Sequence, residues 1–196
     1  MSEEIDPDPA EHFNAALDAL DSGDTPRAMA ELERVVALTP EDDEAVLLLA
    51  KAERDLGFIE RAEDRLRRSV KERPEALDAY VELADLRLSL GAPGEAAQLV
   101  ACVLAERPNH FDSLFLLGNA FLDVQAFEEA AKAYRASLEV NPFSAQAWFN
   151  LGKSEEGLGD HERAVSAYRA YLRAAPKAED VLEVQRSIAR LGDDEG

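Results

Sequence analysis

Five prolines, Pro40, Pro74, Pro108, Pro142 and Pro176, stand 34 residues apart. No other feature constrains the fold as strongly. Proline cannot continue a helix, because it lacks the N–H and its ring clashes with the preceding turn. The spacing therefore cuts the chain into equal segments, each closed by a helix stop. Ala28, Ala62, Ala96, Ala130 and Ala164 keep the same beat. So do Gly23, Gly57, Gly91 and Gly159, with Gln125 where a fifth glycine would fall. Three residue types on one period mark an internal repeat. The glycine marks a turn where positive φ is cheap without a Cβ. The alanine marks a close approach of two helices, where a larger side chain would overpack by roughly 1–3 kcal/mol.

Between these marks the pattern is helical. Ala, Leu, Glu and Arg dominate, all strong helix formers. No long run alternates apolar with polar residues, so no strand is expected. Phe111, Leu114, Leu117, Gly118 and Phe121 form one stripe at spacings of three and four, and Ala130, Ala133, Tyr134 and Leu138 form the next. Asp8, Pro9 and Glu11 read as an N-cap, a first-turn proline and a third-position acid. Thr25 before Pro26 reads as a second cap.

A 34-residue helix–turn–helix unit with these marks resembles the tetratricopeptide repeat (TPR). The fifth unit matches with Trp148, Leu151, Gly152, Ala164, Tyr168 and Pro176, and the fourth with Leu114, Leu117, Gly118, Phe121, Ala130, Tyr134 and Pro142. The third carries Tyr80, Leu83, Ala84, Ala96, Val100 and Pro108, and the second Val46, Leu49, Ala50, Ala62, Leu66 and Pro74. The first departs most. His12 and Ala15 stand at large apolar positions, which suggests a loosely packed terminal unit. Glu53, Arg87 and Glu155 stand where the family has a mid-helix aromatic; pairing and solvent exposure are both open readings for them. The expected units are 9–42, 43–76, 77–110, 111–144 and 145–178, flanked by acidic disordered tails at 1–8 and 193–196. Val181, Leu182, Gln185, Ile188 and Leu191 predict a capping helix over 179–192, because a terminal repeat otherwise leaves an apolar face bare. The resemblance implies an all-α fold, an α-solenoid of five hairpins wound as a right-handed superhelix.

Charge narrows the partners. The formal net charge is −20, a field that repels phosphate backbones and anionic membranes and either draws basic partners or simply serves solubility. Arg outnumbers Lys 16 to 5, so adaptation to a salt-rich cytoplasm is a further reading of the same acidity. No apolar run approaches the roughly 20 residues that span a bilayer, and the first residues lack a signal-peptide core. A cytoplasmic location without membrane insertion is expected. Cys102 is the single cysteine; it allows no intrachain disulfide and is expected to be a small packing residue. His12, His110 and His161 fall in different units and are expected at the surface or in loops, so no metal or cofactor is expected. Acidic pairs are too abundant to signal acid–base catalysis, and no enzyme is expected.

In proteins that resemble this one, the first helix of each hairpin lines a groove that holds a peptide or helix of a partner. On that resemblance one row reads Phe13, Leu47, Val81, Phe115 and Phe149, wholly apolar. A second row reads Leu17, Lys51, Asp85, Asn119 and Lys153. A third contributes Arg54, Leu88 and Leu122. Such a groove suits an amphipathic or basic segment. The same side chains would otherwise fill gaps between adjacent first helices. For Phe115 and Phe149 the bulk of two neighbouring rings favours binding, at roughly 1.5–3 kcal/mol for each ring withdrawn from water. The Lys-and-Asn clamp that some TPR domains use for carboxylate tails is absent from the matching positions. Lys51 with Arg54 reads as a solvated pair. The run Arg61, Arg65, Arg67, Arg68 and Lys71 reads as a salt-bridged outer face, given Glu63 and Asp64 four residues ahead of Arg67 and Arg68. The expected function is a non-catalytic adaptor or scaffold. The alternative is a chaperone shielding apolar segments of a client or secretion substrate.

Overall fold

The structure is a computed structural model that describes residues 8–193. These residues form eleven helices and no strand: α1 Pro9–Asp21, α2 Thr25–Leu38, α3 Asp43–Asp55, α4 Ile59–Glu72, α5 Leu77–Ser89, α6 Pro93–Glu106, α7 Phe111–Asp123, α8 Phe127–Val140, α9 Ala145–Gly157, α10 His161–Ala174 and α11 Val181–Asp193. The first ten make five hairpins. Each hairpin turn contains one left-handed residue: Gly23, Gly57, Gly91, Gly159, and, in the fourth, Gln125 at φ 59°. The non-glycine residue is forced into that conformation by its place in the repeat. The five periodic alanines are all fully buried.

Several helix starts are set by side chains that accept from otherwise unpaired N–H groups, though α4, α6 and α8 begin without one. Asp8 accepts from Ala10 N at 3.2 Å, Asp42 from Ala45 N at 3.0 Å and Asp160 from Arg163 N at 3.0 Å. His110 caps α7, its Nδ1 accepting from Ser113 N at 3.3 Å. The cap of α2 is Asp24, not Thr25: the Asp24 carboxylate accepts from Arg27 N at 3.2 Å, and Thr25 is the first helical residue. Of the expected tails, residues 1–7 and 194–196 lie outside the described residues. Asp8 caps α1, and Asp193 is the last residue of α11.

The chain divides into two compact units, one ending at Leu83 and one starting at Ala84, with the boundary inside α5. In the first unit α1 packs on α2, α2 on α3 and α3 on α4. Ala16, Leu32, Val35, Ala45 and Leu49 form its core, with Phe13, Met29, Val36 and Leu48 against it. In the second unit each helix from α6 to α11 packs on the next, and α7 also touches α9. Tyr134, Leu138, Ala147 and Leu151 make one core there, and Tyr168, Tyr171, Val184 and Leu191 another. Val184 and Leu191 come from α11. Within each unit successive helices pack in chain order, the arrangement of an α-solenoid of helical hairpins.

Two glycines make close approaches to the second helix of their own hairpin. A Cβ on Gly118 would lie 2.6 Å from the Tyr134 ring, and one on Gly152 would lie 2.6 Å from the Tyr168 ring. The first helix can sit this near its partner only where the side chain is a hydrogen.

Candidate partner-binding surface

The first helices carry the residues expected to meet a partner, and each unit presents its own set. In the first unit Phe13, Leu47 and Val81 are half-buried, and Leu17 is 36% exposed. Phe13 packs against the Leu32–Leu49 core. Lys51 does not act with Arg54 as an isolated basic pair, because its ammonium lies 2.8 Å from the Glu82 carboxylate.

In the second unit Asp85 and Lys153 are exposed, while Leu88, Phe115, Asn119, Leu122 and Phe149 are half-buried. The two phenylalanines are backed by rings. Phe115 lies 6.0 Å from Phe111, nearly parallel, and 5.8 Å from Tyr134. Phe149 lies 5.3 Å from Tyr171 and 6.0 Å from Tyr168. Part of each ring therefore belongs to the core, and part faces out. The Lys153 ammonium sits 5.9 Å from the Phe149 centroid, within cation–π range. Asn119 is a hub: its Oδ1 accepts from the Tyr134 hydroxyl at 2.7 Å and from Asn150 Nδ2 at 3.1 Å.

The tyrosines behind this surface hold their protons. Burial pushes Tyr134 well above the ordinary phenol range. Burial, reinforced by the Glu156 carboxylate that accepts from its hydroxyl at 2.8 Å, does the same for Tyr168. Tyr171 is pushed up to about 12 by burial and by Asp180, to which its hydroxyl donates. Glu156 is pushed upward by partial burial, but hydrogen bonds from Arg190 and Tyr168 outweigh that and hold it below the usual carboxylate range.

The mid-helix charges that replace an aromatic do not face solvent. Glu53 is fully buried and accepts from Arg65 twice, Nε to Oε2 at 3.0 Å and Nη2 to Oε1 at 2.9 Å. Arg61 Nη2 also reaches its Oε1 at 3.0 Å. Arg87 pairs with Glu95 at 2.9 Å, the same two places in the hairpin as Glu53 and Arg61 with the signs exchanged. Glu155, 1% exposed, is bound at Oε1 by Arg135. Arg61 and Arg65 thus leave the expected outer ladder, whereas Arg67 does pair with Glu63 at 2.7 Å.

Two further expectations fail. His12 is buried, not superficial; its Nδ1 lies 2.6 Å from Glu31 Oε2, so an acid on α2 pairs with one ring nitrogen inside the first hairpin. Cys102 is exposed instead of packed, its thiol donating to the Gln98 carbonyl at 3.5 Å. Among the described residues no group of His, Cys, Asp and Glu is placed to hold a metal ion. No described helix is long and apolar enough to cross a membrane.

Two family models, each described as tetratricopeptide repeat, match residues 19–75 and 115–179, together more than half of the chain. The chain belongs to the tetratricopeptide repeat family. No curated protein matches it by sequence. Solved TPR structures resemble it closely in fold. MamA from Desulfovibrio magneticus superposes with a TM-score of 0.75 at 20% identity, covering 88% of this chain and 98% of that one. A thermophilic TPR protein from Thermus thermophilus gives 0.72 at 18% identity, covering 94% and 98%. Another MamA structure gives 0.71 at 21% identity, covering 86% and 92%. At these identities the likeness is one of fold. Membership of the TPR family places the chain among protein–protein interaction scaffolds.

Proposed function

We propose that this TPR protein is a non-catalytic adaptor that holds a peptide or helix of a partner against its first helices, with hairpins over 9–178 and α11 as the closing cap. The observation that supports this reading is the state of Phe115 and Phe149. Each is anchored from behind by tyrosine or phenylalanine rings and still leaves part of its surface outward. A ring fixed in this way loses little conformational entropy when a partner covers it, and rigid aromatic anchors carry a disproportionate share of interface energy. In the second unit the exposed and half-buried polar residues Asp85, Asn119 and Lys153 make a mixed rim. The net charge of −20 favours a basic or amphipathic segment.

The test uses the full chain as bait, followed by titration of the captured partner segment by calorimetry. Phe115→Leu/Phe149→Leu keeps bulk against the tyrosines and removes the outward ring faces; Lys153→Glu reverses a rim charge and takes the cation from the Phe149 ring. Both variants are expected to stay folded by circular dichroism. The leucine pair should weaken binding at least about tenfold, the loss of one modest anchor. A folded leucine pair that binds its partner with unchanged affinity would overturn the reading. A captured protein that is unfolded, and kept soluble by the chain, would favour the chaperone alternative.

A further inference from the structure

We propose that the cleft between α8 and α10, floored by α9, receives an arginine side chain from a partner polypeptide. The cleft has a volume of about 420 Å³ and is lined by residues including Arg135, Leu138, Trp148, Glu155 and Arg163. Its floor holds Glu155, 1% exposed, whose Oε2 is buried without a hydrogen-bond partner. A buried carboxylate oxygen left unsatisfied is costly, and the group that best satisfies it is a charge-assisted donor.

The chain contains the filled version of this site. Three repeats earlier, Glu53 occupies the place of Glu155, Arg61 that of Arg163, and Arg65 that of Ala167. There Arg65 straddles both carboxylate oxygens at 3.0 and 2.9 Å, and Arg61 shares one of them. A cleft of about 410 Å³ exists there too, but Glu53 is not among the residues that line it. In the fifth hairpin Ala167 supplies no guanidinium, and Glu155 is among the residues that line the cleft. Arg163 does not substitute: its Nε lies 3.4 Å from Asp160 and its side chain is 66% exposed. Arg135 takes Oε1 only. What is missing is the bidentate donor that the second hairpin provides from its own chain.

An incoming guanidinium would donate to Oε2 and share Oε1 with Arg135, as Arg65 shares Glu53 Oε1 with Arg61. Its methylene stem would lie along Leu138 and Trp148. Two cations, Arg135 and Arg163, face it, against the anions Glu155 and Glu139; the second hairpin's cleft holds still more cations, Arg61, Arg65, Arg68 and Arg73 beside Asp64 and Glu72. Neither Phe115 nor Phe149 lines the cleft, so a partner side chain held there makes a different contact from the one proposed at those rings. The net charge of −20 supports a basic polypeptide as the source.

Trp148 is the only tryptophan and lines the cleft, so its emission reports occupancy in the full chain. The probe is a blocked Ala-Ala-Arg-Ala-Ala pentapeptide, compared with the same peptide carrying citrulline and with free arginine. The arginine peptide should change Trp148 emission saturably. The citrulline peptide and the Glu155→Gln variant should each bind at least about tenfold more weakly, the effect of losing a hydrogen bond to a charged group. Ala167→Arg should abolish the response and raise the melting temperature, because the new side chain takes the place that Arg65 holds. Equal binding of the citrulline peptide, or undiminished binding by Ala167→Arg, overturns the proposal. Absence of any saturable response does the same. Free arginine binding as tightly as the peptide overturns the polypeptide as the source.

Discussion

Removing Arg65 is the sharpest test of the packing described above. Glu53 is fully buried, and Arg65 supplies two of the three donor contacts found at its oxygens. Arg65→Ala leaves Arg61 alone, a side chain 47% exposed and already drawn toward Glu33. Breaking a buried pair by deleting one partner costs about 3–5 kcal/mol. Because Arg61 stays in place, the low end applies, about 3 kcal/mol. The cost comes from the stranded carboxylate, so Glu53→Leu in the same chain should recover most of it. Phe121 shows that an apolar side chain fits this place in the hairpin, for it occupies the equivalent position in the fourth and packs on the core. The double variant should unfold within about 1 kcal/mol of the parent. Urea unfolding followed by far-ultraviolet circular dichroism measures all three proteins. If Arg65→Ala costs less than about 1 kcal/mol, or if Glu53→Leu fails to restore it, the stranded-charge argument is wrong.

Other outcomes follow from the same geometry. Gly152→Ala places a Cβ 2.6 Å from a Tyr168 ring that is 3% exposed. Overpacking of roughly 1–3 kcal/mol outweighs a helix-propensity gain of about 1 kcal/mol, so the melting temperature should fall by a few degrees. Gln125→Gly relieves a left-handed residue and should raise stability by about 0.5–1 kcal/mol in urea titration. Tyr134, Tyr168 and Tyr171 have pKa values raised by folding, so their unfolded forms bind fewer protons above pH 10 than their folded forms do. Their contribution is complete below that pH and is lost as pH climbs through the raised values. Tyrosinate absorbance from these three should therefore appear together with loss of helical signal, and ionisation near pH 10 with helices intact would refute the assignment.

The repeat is legible in the sequence because its marks are local. A proline stop, a turn glycine and a contact alanine act where they stand, and the period even puts Gln125 at a glycine's place in the turn. The positions along the first helices are equally legible as a register. Their degree of burial is not, because it depends on Tyr134, Tyr168 and Tyr171 reaching back from the following helices. The charges are hardest. Glu53 looks like any glutamate on an acidic helix until Arg65, twelve residues later on the partner helix, folds over it. His12 is misread for the same reason, since Glu31 lies on α2. Cys102 shows the opposite error: a small apolar residue type on a half-buried helix faces outward. One signal does exist for the cleft. Glu53 and Arg61, Arg87 and Glu95, and Glu155 and Arg163 stand eight residues apart with opposite signs. Of the two pairs that open with a glutamate, only the second lacks an arginine four residues further on, where Arg65 stands in the second hairpin.

The Arg135–Glu155 contact makes the order of the hairpins matter. A pair such as Arg87 with Glu95 is carried within a single hairpin and would travel with it through any duplication or deletion of 34 residues. Glu155 instead takes its cation from the preceding hairpin. Were the fourth hairpin deleted, Ala101 would stand where Arg135 does, and the buried acid would lose the arginine that binds it. The fifth hairpin is therefore not a free module. It can follow only a neighbour that offers a positive charge at that place, so this array can grow or shrink by whole repeats at some joints and not at this one.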